Sequence, residues 1–429
     1  MSEWPVGAAV LFVLLVTGVP ISISLALVGT IGTLSIIGVT PALSLVGQVF
    51  FDNGRAYSLS ILPLFLLMGN LVVQSGIARD LYDTAYAWVR HRKGGLAIAT
   101  VIACGGFSSV CGSSLATAAT MSKLALPSMR KFGYPDSLST ASIAAGGTIG
   151  ILIPPSVILV FYGILTRQDI GQLFLAGVVP GLIGIAGYIL AVRFSIRFQN
   201  MDMPVEPKLP LRDRIRSLKR TAGALILVVL VMGGIYTGVF TPTESAGVGA
   251  AGAFLLTLGM GKMNPKMLSD TLYDTAKTTT MMFFILFGAL TFTNYVNLSG
   301  MTQDLQAALG FFGDSPYGVI LVIFLIYLVL GCMLEGLSMM MLTVPIFYPI
   351  VAAQGFDLIW FGIFVVLATE ISYITPPVGM NAFVLRSVAK DVKLNTIFYG
   401  LLPFVGIDVI RVALLLLFPV IALFLPSQM

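Results

Sequence analysis

The sequence predicts an all-α polytopic membrane protein with about ten transmembrane helices plus two re-entrant hairpins, arranged as an inverted repeat with two discontinuous helices. Three observations predict this fold class. The 429-residue chain is 57% hydrophobic and only 10% charged, whereas about a quarter of the residues in soluble proteins are charged. Double prolines interrupt two of the longest apolar segments, and short motifs recur between the two halves of the chain. Together these observations exclude a soluble globular fold.

Ten apolar segments are predicted to span the membrane, because a helix needs about 20 mainly apolar residues to cross the hydrocarbon core. The net charge of +5 comes mostly from Lys and Arg in the loops between these segments. It therefore indicates membrane topology and not nucleic-acid binding. The predicted spans are 4–18, 20–38, 57–75, 138–165, 172–196, 221–240, 243–260, 278–297, 357–385 and 395–424.

Two further apolar regions, 95–129 and 318–351, contain small or polar residues at their centres, "GGFSSVCGSS" and "GCMLEGLSMM". Each region is either two full spans or one re-entrant hairpin. The polar centre favours a hairpin that stops at mid-membrane, because irregular backbone at that depth is tolerated only inside protein or beside a cavity.

Basic residues predict the orientation of the chain. The stretches "RHRK" (90–93) and "RK" (130–131) flank the first hairpin and place both its ends in the cytoplasm. Lys and Arg are absent from 278–385, so the flanks of the second hairpin are predicted to be periplasmic. The segment 199–220 is predicted to be a cytoplasmic basic linker between a first repeat, 1–198, and a second repeat, 221–429, with both termini periplasmic.

The two halves share sequence motifs in a nearly constant register. "NLVVQSGIARDL" (70–81) aligns with "NYVNLSGMTQDL" (294–305) at an offset of 224. At an offset of 222, Pro154-Pro155 pairs with Pro376-Pro377. Because the first copy has basic flanks and the second has none, the two copies are predicted to lie upside down relative to one another.

The double prolines are predicted to break the helices at 138–165 and 357–385, since proline lacks a backbone donor and clashes with the preceding turn. In inverted-repeat transporters such breaks meet near the bilayer midplane, where freed carbonyls bind cations and half-helix amino ends attract anions. One predicted site joins the tip 108–114 to the break 150–155, and the other joins 331–338 to 372–381. Their Gly, Ser and Thr residues offer hard oxygens that suit an alkali cation. The alternative is that these residues only permit close helix packing.

The chain resembles a known family through the motifs "SSVCGSSLATAAT", "GGTIGILIPPSVILVFYG", "GVFTPTESAGVGA", "LTVPIFYPI" and "ITPPVGMNAFVL". This family is the large membrane subunit of tripartite ATP-independent periplasmic (TRAP) transporters, and the likeness runs along essentially the whole chain. The resemblance implies an elevator-type, sodium-coupled importer of carboxylate-bearing organic acids, such as dicarboxylates or sialic acids, in the bacterial inner membrane. It also implies two partners, a small four-helix membrane subunit on a separate chain and a periplasmic substrate-binding protein.

The resemblance further implies two sodium sites at the hairpin tips and breaks. Ser372 stands where a glycine is expected, which leaves its backbone role open. Carried onto this sequence, the first site comprises Ser108, Gly112, Ser113, Gly150, Ile153 and Pro155, and the second comprises Gly331, Gly336, Ser372, Thr375 and Val378. The candidate substrate-binding residues at the same tips and breaks are Ser114, Ser156, Glu335 and Asn381.

Two alternatives are weighed against this function, and the second belongs to another class. A stand-alone ion-coupled carrier of a related superfamily would need neither partner. An intramembrane enzyme is disfavoured because the only histidine, His91, lies in a loop, so that neither a Ser–His pair nor a metal cluster is expected. The sequence has no Walker-type phosphate loop, and no organic cofactor is implied. Of the remaining polar residues, Glu370 and Lys123 are candidate ion-pair partners, and Glu244 is expected to stabilise the amino end of its helix.

Overall fold

A computed structural model describes residues 4–310 and 316–429, and within these residues the chain is helical without any strand. Short 3₁₀ helices lie at Tyr57–Ser60 and Pro426–Gln428. The helices of the first half are α1 (Trp4–Val16), α2 (Ile21–Ile37), α3 (Val39–Gly54), α4 (Ile61–Ser75), α5 (Ile77–Val89), α6 (Gly95–Cys111), α7 (Ser114–Lys131), α8 (Asp136–Ile149), α9 (Val157–Thr166) and α10 (Ile170–Phe198). Those of the second half are α11 (Leu211–Tyr236), α12 (Pro242–Gly259), α13 (Pro265–Leu298), α14 (Met301–Gly310), α15 (Pro316–Leu330), α16 (Gly336–Ala353), α17 (Leu358–Ser372), α18 (Met380–Val388), α19 (Leu394–Leu417) and α20 (Val420–Leu423).

Six helical segments in the described residues are long and apolar enough to cross a membrane. They are Tyr57–Ser75, α10, α11, α13, α16 and α19. Both α11 and α13 begin at least ten residues before the spans predicted at 221–240 and 278–297. Arg, Lys and Leu are good helix formers, so helix continues beyond the apolar residues, and α11 includes the last part of the predicted linker 199–220. Helix α3 lies between the spans predicted at 20–38 and 57–75, where no span is predicted.

Two buried hydrophobic cores organise the molecule. The first core includes α4, α9 and α17, and the second includes α6, α8 and α18. The segment predicted at 138–165 is therefore divided between them, with α8 in the second core and α9 in the first. The segment predicted at 357–385 is divided in the opposite sense, with α17 in the first core and α18 in the second. Each interruption thus lies where the chain passes from one core to the other.

Several helices of the first half pack against helices of the second half in matched pairs. Helix α2 packs along α13 and α4 packs along α12, while α9 packs against α16 and α18 against α7. At the offsets of 220 to 224 between the halves, α12, α13, α16 and α18 are the counterparts of α2, α4, α7 and α9. Each contact therefore has a partner in which the two halves exchange roles. This is the packing expected of two interleaved repeats, and the inverted repeat itself stays a prediction.

Candidate cation and substrate sites

The first candidate site forms where the tip between α6 and α7 meets the break between α8 and α9. Gly112 adopts a positive φ of 69° that reverses the chain after α6, a conformation that glycine adopts without steric cost. Ser113 then caps α7, and its hydroxyl accepts a hydrogen bond from the Ala116 amide at 3.3 Å. The break occupies 150–156 and contains a cis Pro154-Pro155 bond. Helix interruption therefore occurs where the double proline predicts it.

Ser108 and Gly150 form the closest crossing of the first site. A Cβ atom added to Gly150 would lie 1.7 Å from the Cβ of Ser108 and 1.8 Å from its Oγ. The crossing therefore has room for one side chain only. Ser108 Oγ is buried and has no hydrogen-bond partner among the described residues. An unpartnered buried hydroxyl costs about 1–3 kcal/mol, so a ligand that accepts its lone pairs would stabilise the site.

The other residues predicted for the first site take different positions. The tip approaches the second proline, since a Cβ on Gly112 would lie 3.9 Å from the carbonyl oxygen of Pro155. The side chain of Ile153 points instead toward Gly105 and Gly181, so only its backbone remains available to an ion. Ser156 caps α9 through the Leu159 amide at 3.4 Å, and its hydroxyl donates to the Ile151 carbonyl.

The second candidate site repeats this arrangement with different side chains. Glu335 caps α16, and its carboxylate accepts from the amides of Leu337 at 3.1 Å and Ser338 at 3.3 Å. The Gly336 amide donates to the Tyr373 hydroxyl at 2.6 Å, which joins the tip to the break. The break occupies 373–379 and contains a cis Pro376-Pro377 bond. Glu335, predicted as a substrate residue, is thus placed as a helix cap.

Gly331 and Ser372 form the crossing of the second site. A Cβ atom on Gly331 would lie 2.0 Å from Ser372 Oγ, so this crossing also holds a single side chain. Ser372 Oγ donates to the Thr369 carbonyl at 2.7 Å, and Thr375 Oγ1 donates to the Ile371 carbonyl at 2.6 Å. Each hydroxyl gives its only proton to the backbone, which leaves its oxygen lone pairs free for a cation. The unexpected serine is accommodated because its neighbour is a glycine.

The two breaks differ in exposure. Pro154 and Pro155 are buried, whereas Pro376 and Pro377 are exposed and Val378 is partly exposed. The prolines of the second break therefore lie at the surface of the described structure, and those of the first lie inside it.

Ser114 and Asn381, two predicted substrate residues from opposite halves, contact each other directly. Asn381 Nδ2 donates to Ser114 Oγ at 2.8 Å and to the Ala144 carbonyl at 2.8 Å, and both side chains are buried. A Cβ on Gly147 would lie 3.3 Å from Asn381 Nδ2. The amino end of α18 therefore reaches the first hairpin and α8. The remaining pair, Ser156 and Glu335, serves as caps of two half-helices.

Both crossings fit a sodium ion by the chemistry of their donors. The available ligands are hydroxyl and backbone carbonyl oxygens, which hard cations prefer. Two glycines keep side chains out of each approach, and Ser108 supplies an oxygen that nothing else in the described chain uses. Freed carbonyls at the end of a half-helix add partial negative charge. The ligand role of these residues stays a prediction.

A buried charge cluster between α8, α10, α17 and α19 is missing from the sequence-based site. Arg411 Nη1 donates to Asp408 at 2.7 Å and to Glu370 at 3.1 Å, and all three residues are at most 4% exposed. Tyr188 donates to Asp408 at 2.6 Å and lies 3.3 Å from the Thr148 hydroxyl. Since Glu370 lies two residues before Ser372 and Thr148 lies two residues before Gly150, the cluster ties both breaks to α10 and α19.

Two other predictions about polar residues concern ion pairs and caps. Glu370 is indeed an ion-pair partner, and its cation is Arg411, whereas Lys123 is exposed on α7. Glu244 forms a reciprocal capping box with Thr241 at the start of α12, as predicted. A signal for Arg411 was present in the sequence, because "DVIR" places two charges inside an apolar span, and such charges are rare in membranes.

Comparison with known proteins supports the family assignment. Residues 8–421 match the model of the "Tripartite ATP-independent periplasmic transporter, DctM component". The C4-dicarboxylate TRAP transporter large permease protein DctM of Pseudomonas aeruginosa is 36% identical over 378 residues, which cover 88% of each chain. The sialic acid TRAP transporter large permease protein SiaM of Vibrio cholerae is 32% identical and covers 96% of each chain. The ectoine/5-hydroxyectoine TRAP transporter large permease protein UehC of Ruegeria pomeroyi is 33% identical, covering 97% of this chain and 96% of UehC.

Two solved structures of membrane transporters have a similar fold. The Alcanivorax borkumensis YdaH transporter superposes with a TM-score of 0.62 at 15% identity, over 91% of this chain and 88% of that chain. Neisseria gonorrhoeae MtrF, from a class of antimetabolite efflux pumps, superposes with a TM-score of 0.59 at 12% identity, over 91% of this chain and 85% of that chain. With its apolar helices and the match over residues 8–421, the chain belongs to the DctM family of TRAP transporter large permease subunits, which are multi-pass transport proteins of the bacterial inner membrane and not enzymes.

Proposed function

We propose that the chain imports a carboxylate-bearing organic acid together with sodium ions. The observation that supports this most is the pair of matched crossings, Ser108 with Gly150 and Gly331 with Ser372. Each crossing brings a hairpin tip to a helix break and presents neutral oxygen atoms inside an apolar protein, the environment that suits a partly dehydrated alkali cation. One sodium ion is assigned to each crossing.

The proposed substrate class follows the chemistry named for the relatives. C4-dicarboxylates, sialic acids and ectoines all bear carboxylates, and they are named for DctM, SiaM and UehC respectively. In this chain the contact between Ser114 and Asn381 lies where the two halves meet, at the amino ends of α7 and α18. Half-helix amino ends attract anions, so this junction is the proposed position of the substrate carboxylate.

We further propose an elevator movement within an inverted repeat. The exchanged packing of α2 with α13 and of α4 with α12 supports a frame built from both halves. Cysteines introduced at Lys131 and Gln354, in a variant without native cysteines, test the inverted topology. Membrane-impermeant reagents are expected to label K131C only from the cytoplasm and Q354C only from the periplasm. Labelling of both from one side would rule out the inversion.

Two partners complete the proposed transporter, a small four-helix membrane subunit and a periplasmic binding protein that delivers the acid. Uptake of labelled organic acids into proteoliposomes tests the whole proposal. The liposomes contain this chain and the small subunit, with the binding protein outside, under a sodium gradient, a proton gradient or neither. Uptake is expected to need both inward sodium and the binding protein. Sodium-driven uptake without the binding protein would indicate a stand-alone carrier, and proton-driven uptake would contradict the sodium sites.

A further inference from the structure

A basic groove lies at the carboxyl end of α10, away from the candidate sites. Its volume is about 420 Å³, and its lining includes Lys93, Arg193, Ile196, Arg197, Asn200 and Asp202. In the described part of the chain, none of its three cations takes part in a salt bridge. With one carboxylate against three cations, the α10 groove has a net charge of +2 from these groups.

The position of the groove along α10 corresponds to the lipid headgroups. Residues 173–192 form an uncharged apolar stretch of α10, and Arg193 follows it directly. Because about 20 apolar residues cross the hydrocarbon core, Arg193 and Arg197 lie at one edge of that core. Lys93 comes from the loop before α6 and faces the same groove. Its cations therefore stand at headgroup depth.

An apolar surface adjoins the cations on the same helix. Phe194 and Phe198 stack at 5.5 Å between ring centroids and are 58% and 77% exposed. They follow Arg193 and Arg197 by one residue each, so the aromatic pair lies about 100° around the helix from the cationic pair. A ligand with an anionic head and an apolar body contacts both surfaces at once. Free phosphate would contact only the cations.

We propose that the α10 groove binds the headgroup of an anionic phospholipid, with its phosphate between Lys93, Arg193 and Arg197 and its acyl chains beside Phe194 and Phe198. Arginine suits this role because its planar guanidinium makes paired hydrogen bonds to phosphate oxygens. Basic pockets between membrane helices are known as binding sites for anionic headgroups. This lipid site is separate from the proposed sodium and substrate sites.

Helix α11 offers a matched control for the loss of charge. Arg212 and Arg216 are also an exposed pair four residues apart near the predicted cytoplasmic face, but they are not part of the α10 groove. The variants R193A/R197A and R212A/R216A therefore lose the same charge from different places. A third variant, F194A/F198A, keeps every charge and removes the aromatic pair.

The test is a lipid titration of the purified full chain by native mass spectrometry, with phosphatidylglycerol and phosphatidylcholine as probes. Phosphatidylglycerol is expected to bind the wild type at least tenfold more tightly than phosphatidylcholine. R193A/R197A is expected to lose this preference, R212A/R216A to keep it, and F194A/F198A to bind phosphatidylglycerol several-fold more weakly. Should R193A/R197A fail to fold, the single variant K93Q is expected to weaken phosphatidylglycerol binding several-fold.

Three outcomes would overturn the proposal. The first is an unchanged preference in R193A/R197A, or in K93Q where that variant replaces it. The second is an equal loss in R212A/R216A, which would indicate a diffuse charge effect. The third is displacement of the lipid by glycerol phosphate at concentrations equal to those of phosphatidylglycerol, which would indicate a site for soluble phosphates.

Discussion

The two crossings make the same contact with exchanged residues. In the first half a hairpin serine, Ser108, meets a glycine in the break, Gly150. In the second half a hairpin glycine, Gly331, meets Ser372, the last residue of α17 before the break. Their hydroxyls also differ, because Ser108 Oγ has no partner in the described chain and Ser372 Oγ donates to the Thr369 carbonyl.

Both crossings therefore consist of one serine and one glycine, but the serine comes from the hairpin in the first half and from the helix before the break in the second half. A crossing admits one hydroxymethyl group, and that group can come from either segment. The departure of Ser372 from the expected glycine is therefore balanced by Gly331, and the hydroxyl oxygen remains at the crossing.

Loss of Arg411 is expected to damage both crossings together. The variant R411M would leave Glu370 and Asp408 buried without their cation, and breaking a buried ion pair costs about 3–5 kcal/mol. The unfolding temperature of the detergent-solubilised protein is expected to fall by many degrees, whereas R212M, on the exposed face of α11, is expected to change it little. Equal unfolding temperatures in R411M and the wild type would show that the cluster does not support the breaks.

Filling the first crossing is expected to abolish transport, and exchanging its residues is expected to restore it. G150S places a second hydroxymethyl group in space already taken by Ser108, and overpacking costs about 1–3 kcal/mol. Sodium-driven uptake is expected to fall at least about tenfold, which corresponds to about 1.4 kcal/mol. The double variant S108G/G150S reproduces the arrangement of the second crossing and is expected to recover most of the uptake.

A mirror experiment on the second crossing controls for the position. G331S is expected to lose sodium-driven uptake. G331S/S372G is expected to recover it, since this double variant has its serine in the hairpin and its glycine in the facing segment, as in the first crossing. A double-mutant cycle measures each coupling. If S108G/G150S were as inactive as G150S, the serine could not be supplied from either segment. The two crossings would then be alike in packing but not in function.

Removing single hydroxyls is expected to have smaller and unequal effects. S108A deletes a hydroxyl without a partner, so stability is expected to stay the same or rise slightly. S372A also loses a hydrogen bond to the backbone, worth about 1 kcal/mol. Both variants are expected to raise the sodium concentration that gives half-maximal uptake. An unchanged sodium requirement in both would remove the hydroxyls from the proposed ligand set.

The smallest effect is expected at the surface link between the halves. Arg130, at the end of α7, donates to Asp391 at 2.7 Å, and this hydrogen bond lowers the pKa of the Asp391 carboxyl. A lowered pKa means that the contribution to stability is present above the ordinary pKa of aspartate, about 3.9, and disappears as the pH falls through the folded-state value. Because an exposed ion pair contributes little, D391N is expected to unfold only slightly below the wild-type temperature between pH 6 and 8, and this small difference is expected to disappear in acid. A clear difference in that range would show that the link contributes more than an exposed ion pair.

The helix breaks were predictable from sequence because their cause is local. Proline lacks a backbone donor and clashes with the preceding turn. Isolated prolines are tolerated inside α7, α10, α16 and α19, whereas the interruptions at 150–156 and 373–379 contain the two double prolines. The capping box of Thr241 and Glu244 is likewise a local motif. The polar beginnings of α11 and α13 were missed because an apolar span defines the membrane segment and not the helix.

The crossings and the charge cluster were less predictable because they depend on packing between distant segments. Sequence motifs indicated Ser108 and Ser372 as site residues. That Ser108 packs against Gly150 and Ser372 against Gly331 is visible only in the folded structure. Arg411 was missed because it lies 41 residues after Glu370. The contact between Ser114 and Asn381 spans 267 residues and requires both halves to be folded.

The most direct test of the two sodium crossings is the number of sodium ions bound by the purified large subunit. Binding of radioactive sodium is measured for the wild type, G150S, G331S and the double variant G150S/G331S. Two ions per chain are expected for the wild type, one for each single variant and none for the double variant, with the protein still folded in each case. Two ions bound by all four proteins would contradict the assignment of sodium to these crossings.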